Sequence, residues 1–255
     1  MVRGLYTAYT GMMNQQARLD VITNNLANAS TVGYKKEGST SQAFDSMYTQ
    51  KIKDGSEGYI NRRIGKESLG VKIGETYTDY TQGSFKVTGN TLDLALEGTG
   101  FFNIEYASKS GNTSTKYTRD GSFSINNEGM LVTEDGDYLL GENGHIQIPS
   151  GAEVVVDELG NVYADEKLVD KIKLSDFEDY NYLKKFGENL YTAVDGATEK
   201  TGDGKVRQGY LEMSNISVIS EMVEMITVSR AYESSQKVVQ TMDSSLEKAV
   251  NLGKL

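Results

Sequence analysis

A hydrolytic triad is the first chemistry to consider, because the chain has one histidine, His145, and many serines and aspartates. Ser122 and Ser150 are the serines that could act as its nucleophile. Neither lies in a nucleophile-elbow sequence, and Asn143-Gly144-His145 is typical of a turn that leads into a strand. We therefore predict that His145 is a surface residue beside a turn and that the protein is not an enzyme.

Two acidic turns are the next candidates, since carboxylate oxygens bind Ca²⁺. They are Glu134–Asp137, which surrounds a glycine, and Asp157–Gly160. Neither turn has the alternating ligands and terminal bidentate glutamate of an EF-hand loop, and acidic residues are also common in solvated turns. We predict solvated turns that hold no metal.

A glycine-rich turn, Gly98-Thr99-Gly100, precedes the aromatic pair Phe101 and Phe102. A phosphate-binding loop would continue with a lysine and a serine or threonine and would open a helix, whereas this turn leads into an apparent strand. Its glycines are better suited to close packing of the backbone. The sequence therefore predicts no cofactor and no small-molecule substrate.

Composition limits the possible partners and locations. The 255 residues carry a formal net charge of −10 and no cysteine, so nucleic acid, thiolate metal sites and disulfides are excluded as the basis of function. Gly4, Thr7 and Gly11 interrupt the N-terminal apolar run, which argues against a cleaved signal peptide. No apolar run approaches the roughly 20 residues that a membrane-spanning helix needs. If the protein is exported, we expect another route.

Residues 1–33 are predicted to form an N-terminal assembly helix that ends near Gly33. Its apolar positions recur at steps of three and four, as in the seam of a coiled coil. They are Leu5, Ala8, Met12, Leu19, Ile22, Leu26 and Ala29. The other positions carry few charges and many amides, which is typical of a helix contacted by neighbours on several sides.

The C-terminal part, residues 208–255, is predicted to form a second assembly helix. One apolar row consists of Val218, Met222, Met225, Tyr232, Val239, Leu246 and Val250. A second row, which widens the apolar stripe, consists of Val223, Ile226, Val238, Met242 and Ala249. At 1.5 Å per residue each helix is roughly 40 to 50 Å long, more than a small domain needs to cover its core.

The middle of the chain changes to a period of two with frequent glycines, which predicts antiparallel β structure over residues 81–207. Asp135-Gly136 is a hairpin signal, and a shared polar-x-Gly-x-apolar pattern in residues 126–132 and 157–163 indicates repeated hairpins. Residues 34–80 are predicted to be an extended, mobile connecting segment, least regular over 50–74. The fold class is therefore α+β, with a coiled-coil-like pair of terminal helices and a central antiparallel β domain.

Three runs resemble the axial proteins of the bacterial flagellar hook and basal body, most closely the rod proteins of the FlgF and FlgG type. The N-terminal run is Asn24-Asn25-Leu26-Ala27-Asn28-Ala29-Ser30-Thr31-Val32-Gly33-Tyr34-Lys35. The central run covers Leu92–Ile104, Tyr117–Phe123 and Gly129–Val132. The C-terminal run includes Gly209, Leu211, Glu212, Ser214, Asn215, the Glu221-Met222-Val223 triplet and Arg230.

The resemblance implies a structural subunit of the flagellar rod that polymerises around a central channel, with both terminal helices in the inner layer. It implies export through the flagellum's own type III apparatus, without a cleaved signal, to an extracytoplasmic position in the basal body. The implied partners are copies of the chain, other rod and hook proteins, the export apparatus and envelope ring proteins. Residues 29–31 are closer to the proximal rod proteins and residues 208–212 to the distal ones, so both subtypes remain open.

Two other classes of protein are alternatives. A secreted hook-like or adhesin-like binding module is favoured if Tyr77, Tyr80 and Phe85 form a large exposed aromatic patch. A cell-wall hydrolase requires acidic residues with perturbed pKa values that converge in a cleft.

Overall fold

The structure is a computed structural model that describes residues 2–50, 63–107, 113–149, 151–187 and 189–252. A long helix lies at each end of the chain and antiparallel strands lie between them, which confirms the α+β class. The chain divides into two compact units. The helical unit comprises Met1–Leu26, Glu37–Thr78 and Ser217–Leu255, and the central unit comprises Ala27–Lys36 and Asp79–Ile216.

The helical unit contains two helices and two strand pairs. The helices are α1 (Val2–Ala27) and α2 (Val218–Leu252). The strands are β1 (Glu37–Ala43), β2 (Met47–Gln50), β3 (Arg63–Glu67) and β4 (Val71–Thr78). β1 pairs with β4 and β2 pairs with β3, both antiparallel.

α1 and α2 run antiparallel and contact each other at positions separated by seven residues or a multiple of seven along each helix. A Cβ built on Gly4 would lie 2.6 Å from Met242 Cε, and one on Gly11 would lie 3.8 Å from Ser235 Oγ. The Asn25 amide donates to Glu221 Oε2 at 3.4 Å. Two glycines and one amide side chain of α1 thus take part in this contact, and the glycines let the two helices approach closely at those points.

The β1–β4 ribbon is attached to α1 by polar contacts. Asn14 Nδ2 donates to Ser41 Oγ at 2.9 Å. Asn25 bonds both backbone groups of Glu37, donating to the carbonyl at 2.8 Å and accepting from the amide at 3.0 Å. Because a two-stranded ribbon is marginally stable alone, these amide side chains explain why α1 carries asparagines where a solvated helix carries charges.

The central unit is built from seventeen strands within the described residues, all paired antiparallel. They are β5 (Phe85–Val87), β6 (Leu94–Glu97), β7 (Phe101–Ala107), β8 (Thr113–Thr118), β9 (Phe123–Ile125), β10 (Leu131–Thr133), β11 (Tyr138–Gly141), β12 (Gly144–His145), β13 (Val154–Val156), β14 (Asn161–Ala164), β15 (Lys167–Lys171), β16 (Leu174–Phe177), β17 (Leu183–Phe186), β18 (Leu190–Ala193), β19 (Glu199–Thr201), β20 (Lys205–Gln208) and β21 (Tyr210–Glu212). The largest sheet has the path β17-β18-β8-β7-β11-β10-β9, and β13-β14-β15, β20-β6 and β21-β5 form smaller sheets.

Two apolar clusters fill the central unit. The larger one is mainly aliphatic and includes Leu96, Ile104, Leu139 and Val162, all fully buried. The smaller one is mainly aromatic and is centred on Phe101, whose ring lies 5.6 Å from that of Tyr191 and 5.9 Å from that of Tyr80. Such clusters are sufficient to give this unit a packed interior of its own.

The two segments predicted to be repeated hairpins adopt the same turn. Asn126 Oδ1 and Asp157 Oδ1 each accept from the backbone amides two and four residues further on, at 2.9 to 3.0 Å. The glycine of each turn has φ +82°. Each turn joins the first two strands of a three-stranded meander, β9-β10-β11 and β13-β14-β15. An Asx side chain followed by a left-handed glycine produces this turn in both places.

The N-terminal helix is shorter than the sequence predicted. α1 ends at Ala27, and after a turn Val32 makes an isolated β-bridge with Met213. Gly33 has φ +69°, and a Cβ on it would lie 2.4 Å from the Asp120 amide nitrogen. Gly33 is therefore required by close backbone packing in the central unit and not by the end of the helix.

The segments on either side of the predicted β domain also differ from the prediction. Residues 34–80, for which the sequence predicts an extended, mobile connecting segment, contain the paired strands β1 to β4. Part of the irregular stretch, 51–62, lies outside the described residues. Residues 210–212, which were assigned to the C-terminal helix, form strand β21, and α2 begins only at Val218.

Candidate assembly site

The predicted assembly residues of α1 are mostly half-buried within the helical unit. Ile22 is fully buried, whereas Leu5, Met12, Leu19 and Leu26 keep part of their surface accessible. A different set of large side chains is exposed on this helix. It consists of Tyr6, Tyr9 and Met13.

The predicted assembly residues of α2 divide into two groups. Met225, Tyr232, Val239 and Leu246 are half-buried, as expected for positions that contact α1 or its surroundings. Met222 is exposed, together with Ile219, Val223 and Ile226, by 50, 77, 60 and 53% respectively. We call these four side chains the α2 apolar face. Contiguous exposed apolar residues of this kind mark contact sites for other proteins.

A concave surface lies between α1 and α2 in the helical unit. It has a volume of about 380 Å³ and is lined by uncharged side chains from both helices. The lining residues are Gly4, Thr7, Ala8, Ser234, Ser235 and Val238. We call this surface the inter-helix groove.

The N- and C-terminal signatures meet in the central unit through a buried charge triad. Lys35 Nζ lies 2.6 Å from Glu212 Oε1, and Arg119 Nη1 lies 3.1 Å from Glu212 Oε2. The three residues are 1, 0 and 3% exposed for Lys35, Glu212 and Arg119. Two cations therefore share one carboxylate in a place from which water is excluded, so removal of that carboxylate would leave both charges uncompensated.

Hydrogen bonds complete the triad. Lys35 Nζ also donates to the Thr81 carbonyl at 2.8 Å, and Arg119 Nη2 donates to the Gly98 carbonyl at 2.8 Å. Glu212 Oε1 accepts from the Gly83 amide at 2.9 Å. Burial lowers the pKa of Lys35, and the neighbouring carboxylate of Glu212 opposes that shift. The ion pair with Glu212 thus favours the charged form of the ammonium that burial disfavours.

Other signature residues bind the same two chain segments together. The Gly33 amide donates to the Glu212 carbonyl at 2.8 Å. Asn215 Oδ1 accepts from the Lys36 amide at 2.8 Å, and Asn215 Nδ2 donates to the Asp79 carbonyl at 2.9 Å. The segment after α1 is thus held beside the segment before α2 through at least three independent contacts.

The remaining signature residues have varied positions. Tyr34 is buried beneath Lys185, whose Nζ lies 4.0 Å from the ring centroid. Gly209 has φ +80° and its carbonyl accepts from the amides of residues 88 and 89. Asn28 accepts from Thr31, Ser214 is buried and Leu211 is half-buried, while Asn24, Ala27 and Arg230 are exposed.

Lys35, Arg119 and Glu212 lie in the three signature runs, but the sequence alone does not predict that they meet. The local positions of two of these residues indicate that they are buried. Arg119 follows strand β8, and Glu212 ends the three-residue strand β21. A charged residue at such a position needs a partner, yet the partner of Glu212 is 177 residues away in Lys35. No pattern in one sequence specifies that pairing.

The catalytic candidates that the structure describes, His145 and Ser122, have other partners and do not form a triad. The ring of His145 stacks on Tyr138 with centroids 4.7 Å apart, and its Nε2 lies 2.8 Å from Glu105 Oε2. Ser122 Oγ instead donates to Asp120 Oδ1 at 2.7 Å, and Ser150 lies outside the described residues. In the described part of the chain no three acidic or histidine side chains lie close enough to hold a metal ion.

The aromatic patch that would favour a secreted binding module is not formed in the central unit. Tyr80 packs in the aromatic cluster, 4.9 Å from the ring of Tyr180. Phe85 is half-buried, with the Arg207 guanidinium 5.9 Å from its ring centroid. Tyr77 is exposed and belongs to β4 of the helical unit.

Family models match the three regions that contain the signatures. The flagellar basal body rod protein model matches residues 5–35, the hook protein FlgE/F/G D1 domain model residues 95–164, and the rod FlgEFG C-terminal model residues 207–252.

Relatives match along nearly the whole chain. The basal-body rod protein FlgG of Bacillus subtilis is 37% identical over 99% of both chains. FlgG of Caulobacter vibrioides is 35% identical over 96% of this chain and 97% of its own. FlgF of the same organism is 34% identical over 100% of both.

The chain belongs to the flagellar basal body rod protein family. This rod protein is a structural subunit and not an enzyme, as the family is structural. The N-terminal match covers most of α1 and ends at Lys35 of the triad, and the C-terminal match contains Glu212 and α2. Among the described residues neither helix has an apolar stretch long enough to cross a lipid bilayer.

Proposed function

We propose that this rod protein polymerises through its terminal helices into a hollow, torque-transmitting tube for motility. The observation that carries the proposal is the α2 apolar face, four large side chains that are each at least half exposed. Full burial of an aliphatic side chain contributes about 1.5–3 kcal/mol, so covering this face strongly favours association. Copies of the chain and other rod and hook proteins are the partners that we expect to cover it.

The way in which α1 and α2 contact each other supports this proposal. Their contacts use Gly4, Gly11 and Asn25 on α1, and the bulkier Tyr6 and Tyr9 remain exposed. A helix pair that had to stabilise only itself would bury its large side chains between its helices. The seven-residue steps of the contact favour a coiled-coil-like arrangement within the tube.

A tube requires contacts that do not close on themselves. Such heterologous contacts join one surface of a subunit to a different surface of the next and generate helical arrays. We further propose that the subunit reaches its extracytoplasmic position in the basal body through the flagellar export apparatus, without a cleaved signal, and that it contacts envelope ring proteins.

The test is complementation of a strain that lacks this gene with the Met222→Asp variant. A buried carboxylate at the subunit contact opposes association, so we expect loss of swimming and of rods in isolated basal bodies. Thr227→Asp is the matched control, because Thr227 is an exposed residue of the same helix outside the α2 apolar face. Normal rods from Met222→Asp, with secretion equal to that of the control, would refute the proposed role of α2.

A further inference from the structure

The loop between β11 and β12 contains the single Asn-Gly dipeptide of the 255 residues, Asn143-Gly144. The pairing of Gly141 with Gly144 closes this two-residue loop. Asparagine followed by glycine is the dipeptide most prone to deamidation, because glycine has no Cβ to hinder the approach of its nitrogen to the asparagine side chain. Asn143 is exposed, so water reaches it. By sequence and exposure alone, this loop is where the chain should be modified first.

Deamidation of Asn143 is an intramolecular displacement. The backbone nitrogen of Gly144 loses its proton and attacks Cγ of Asn143, the bond from Cγ to the side-chain nitrogen breaks, and that nitrogen leaves as ammonia with the proton. Water then opens the cyclic imide at either carbonyl and produces an aspartate or an isoaspartate. The chain gains a water molecule and loses an ammonia molecule, so the reaction requires no oxidant, cofactor or second protein.

A carboxylate from β15 holds the Asn143 side chain in place. Asn143 Nδ2, the leaving nitrogen of the reaction, donates to Asp170 Oδ1 at 2.8 Å, and the Asn143 backbone amide donates to Asp170 Oδ2 at 3.3 Å. A Cβ on Gly141 would overlap the same carboxylate, so the glycine leaves room for it beside the loop. Cyclisation requires the side-chain amide to turn until Cγ faces the Gly144 nitrogen. Both contacts with Asp170 oppose that turn, and a hydrogen bond to a charged acceptor is stronger than one between neutral groups.

The backbone of the loop is also held in place. The Glu142 amide donates to the Lys171 carbonyl at 2.8 Å, and Gly141 forms a β-bridge with Ile172. The closing pair of a two-residue hairpin loop exchanges backbone hydrogen bonds, which occupies the Gly144 amide. The nucleophile of the reaction is therefore engaged as long as the hairpin is closed, and it becomes available when the hairpin opens locally.

We propose that Asp170 protects Asn143 from deamidation in the folded central unit, and that Asn143 is modified in chains whose β11–β12 hairpin is open. The modification then hinders reclosure. It replaces the donor Nδ2 by a second carboxylate against Asp170, which is 7% exposed, and like charges at a buried position repel strongly. An isoaspartate also lengthens the backbone of the loop and disturbs the pairing of Gly141 with Gly144. This inference does not depend on how the subunits assemble.

Peptide mapping by mass spectrometry tests the protection, because deamidation changes the mass and the retention of the peptide that contains Asn143. The full-length chain is incubated at mildly alkaline pH, either folded or in guanidinium chloride, and sampled over time. We expect deamidation to be slower in the folded chain by on the order of tenfold or more, and Asp170→Ala to recover much of that difference, because it loses a hydrogen bond to a charged group. Asp170→Asn keeps an acceptor and should lie between the two.

Asp157→Ala is the matched control for these rates. Asp157 belongs to the same meander and accepts from Asn161 Nδ2 at 2.8 Å, so its loss weakens a similar turn without removing the partner of Asn143. Equal rates in the folded and unfolded natural chain would overturn the proposal, and so would an Asp170→Ala rate no higher than that of Asp157→Ala. A slower reaction in Asp170→Ala would also overturn it, since the carboxylate would then assist the reaction. Near-ultraviolet circular dichroism establishes that each variant is folded.

A comparison of Asn143→Asp with Asn143→Ala tests the effect on reclosure and does not require Asp170→Ala to fold. Both variants lose the amide donor, and only Asn143→Asp adds the carboxylate that deamidation produces. We expect the lower urea midpoint for Asn143→Asp at neutral pH, because its charge lies against that of Asp170. Equal midpoints would show that the modified chain closes its hairpin as well as one that merely lacks the amide, which contradicts the proposed hindrance.

Discussion

The helical unit and the central unit use their large side chains in opposite ways. The central unit buries aliphatic and aromatic residues in two clusters and even encloses charges, which it pairs around Glu212. The helical unit has small residues where its helices meet and leaves Ile219, Met222, Val223 and Ile226 exposed. The central unit is therefore completed by its own chain, whereas the helical unit presents surfaces that another copy can cover.

The two units should also differ in how well they tolerate amino-acid substitutions. A closely packed interior responds to the loss of a single charge or the addition of a single methyl group, because no neighbouring atom can move away easily. The helix pair has room for an added methyl group at Gly11, where the nearest atom would lie at an ordinary contact distance. The following substitutions and conditions test that contrast.

The largest expected effect is that of Glu212→Gln on the central unit. It leaves Lys35 and Arg119 buried without a counter-charge, and loss of one partner of a buried ion pair costs about 3–5 kcal/mol. The free energy of unfolding can be measured with urea, using near-ultraviolet circular dichroism of the tyrosines. Glu158→Gln is the control, because its partner Lys205 is exposed and that pair should contribute little. Equal urea midpoints for the two variants would contradict the role assigned to the triad.

Gly33→Ala should destabilise the central unit by about 1–3 kcal/mol, since a non-glycine residue at φ +69° is strained and its Cβ meets the Asp120 backbone. Gly89→Ala is a close match, because Gly89 has φ +71° but no atom within 4 Å of the added Cβ. The difference between the two urea midpoints therefore measures the contact alone. If Gly89→Ala proves as harmful as Gly33→Ala, the close approach has no energetic weight.

Alkaline pH should weaken the central unit through two tyrosines. Burial raises the pKa of Tyr117 and of Tyr180 to about 12, with Glu199 and Asp176 respectively as further causes. The folded state therefore holds the two phenolic protons more tightly than the unfolded state does. The contribution of these tyrosines to the free energy of unfolding is fully present below pH about 10 and is lost as the pH rises towards 12. Tyr180→Phe removes one of the two groups and should flatten the fall in urea midpoint. Parallel curves for the variant and the natural chain would exclude Tyr180 as a source of the effect.

The smallest effect expected is a gain in the helical unit. Gly11→Ala adds a Cβ at ordinary contact distance, 3.8 Å from Ser235 Oγ, and replacing a helical glycine by alanine stabilises by about 0.5–1 kcal/mol. Gly4→Ala should gain less, because Met242 Cε must move away. Thermal loss of helix, followed by far-ultraviolet circular dichroism, compares them. A lower midpoint for Gly11→Ala would show that this helix contact is packed as closely as the central unit.

Local patterns were sufficient to predict the fold class and several turns. The period of three and four residues predicted both helices, and Asp135-Gly136 predicted the turn between β10 and β11. The Asx-glycine turns at Asn126 and Asp157 were also readable, because each is stabilised by contacts within five residues. Signals of this kind work when the stabilising contact is close in sequence.

Features that depend on distant contacts were missed. Gly33 is compatible with a helix stop, because glycine is common both at helix ends and where two backbone segments pack closely. Only the nearby backbone of Asp120, which is distant in sequence, shows that close packing is the reason here. The triad needed the pairing of Lys35 with Glu212, which single-sequence periodicity does not specify. For the proposed assembly site, periodicity predicted the two helices and placed Met222 in an apolar row. It did not separate residues that face the partner helix from residues that face outwards, because both sets recur at similar steps.

The triad also fixes where this protein can be divided. A fragment of residues 81–207, which the glycine pattern suggests as a domain, would contain Arg119 but neither Lys35 nor Glu212. The central unit, which holds all three residues, consists of Ala27–Lys36 and Asp79–Ile216, and the residues between these two segments belong to the helical unit. Since Lys35 and Glu212 are 177 residues apart, a chain that emerges from its N-terminus cannot close this contact until more than four-fifths of it is available. The buried ion pairs of the central unit can therefore form only after Glu212, near the C-terminal end of that unit, has become available.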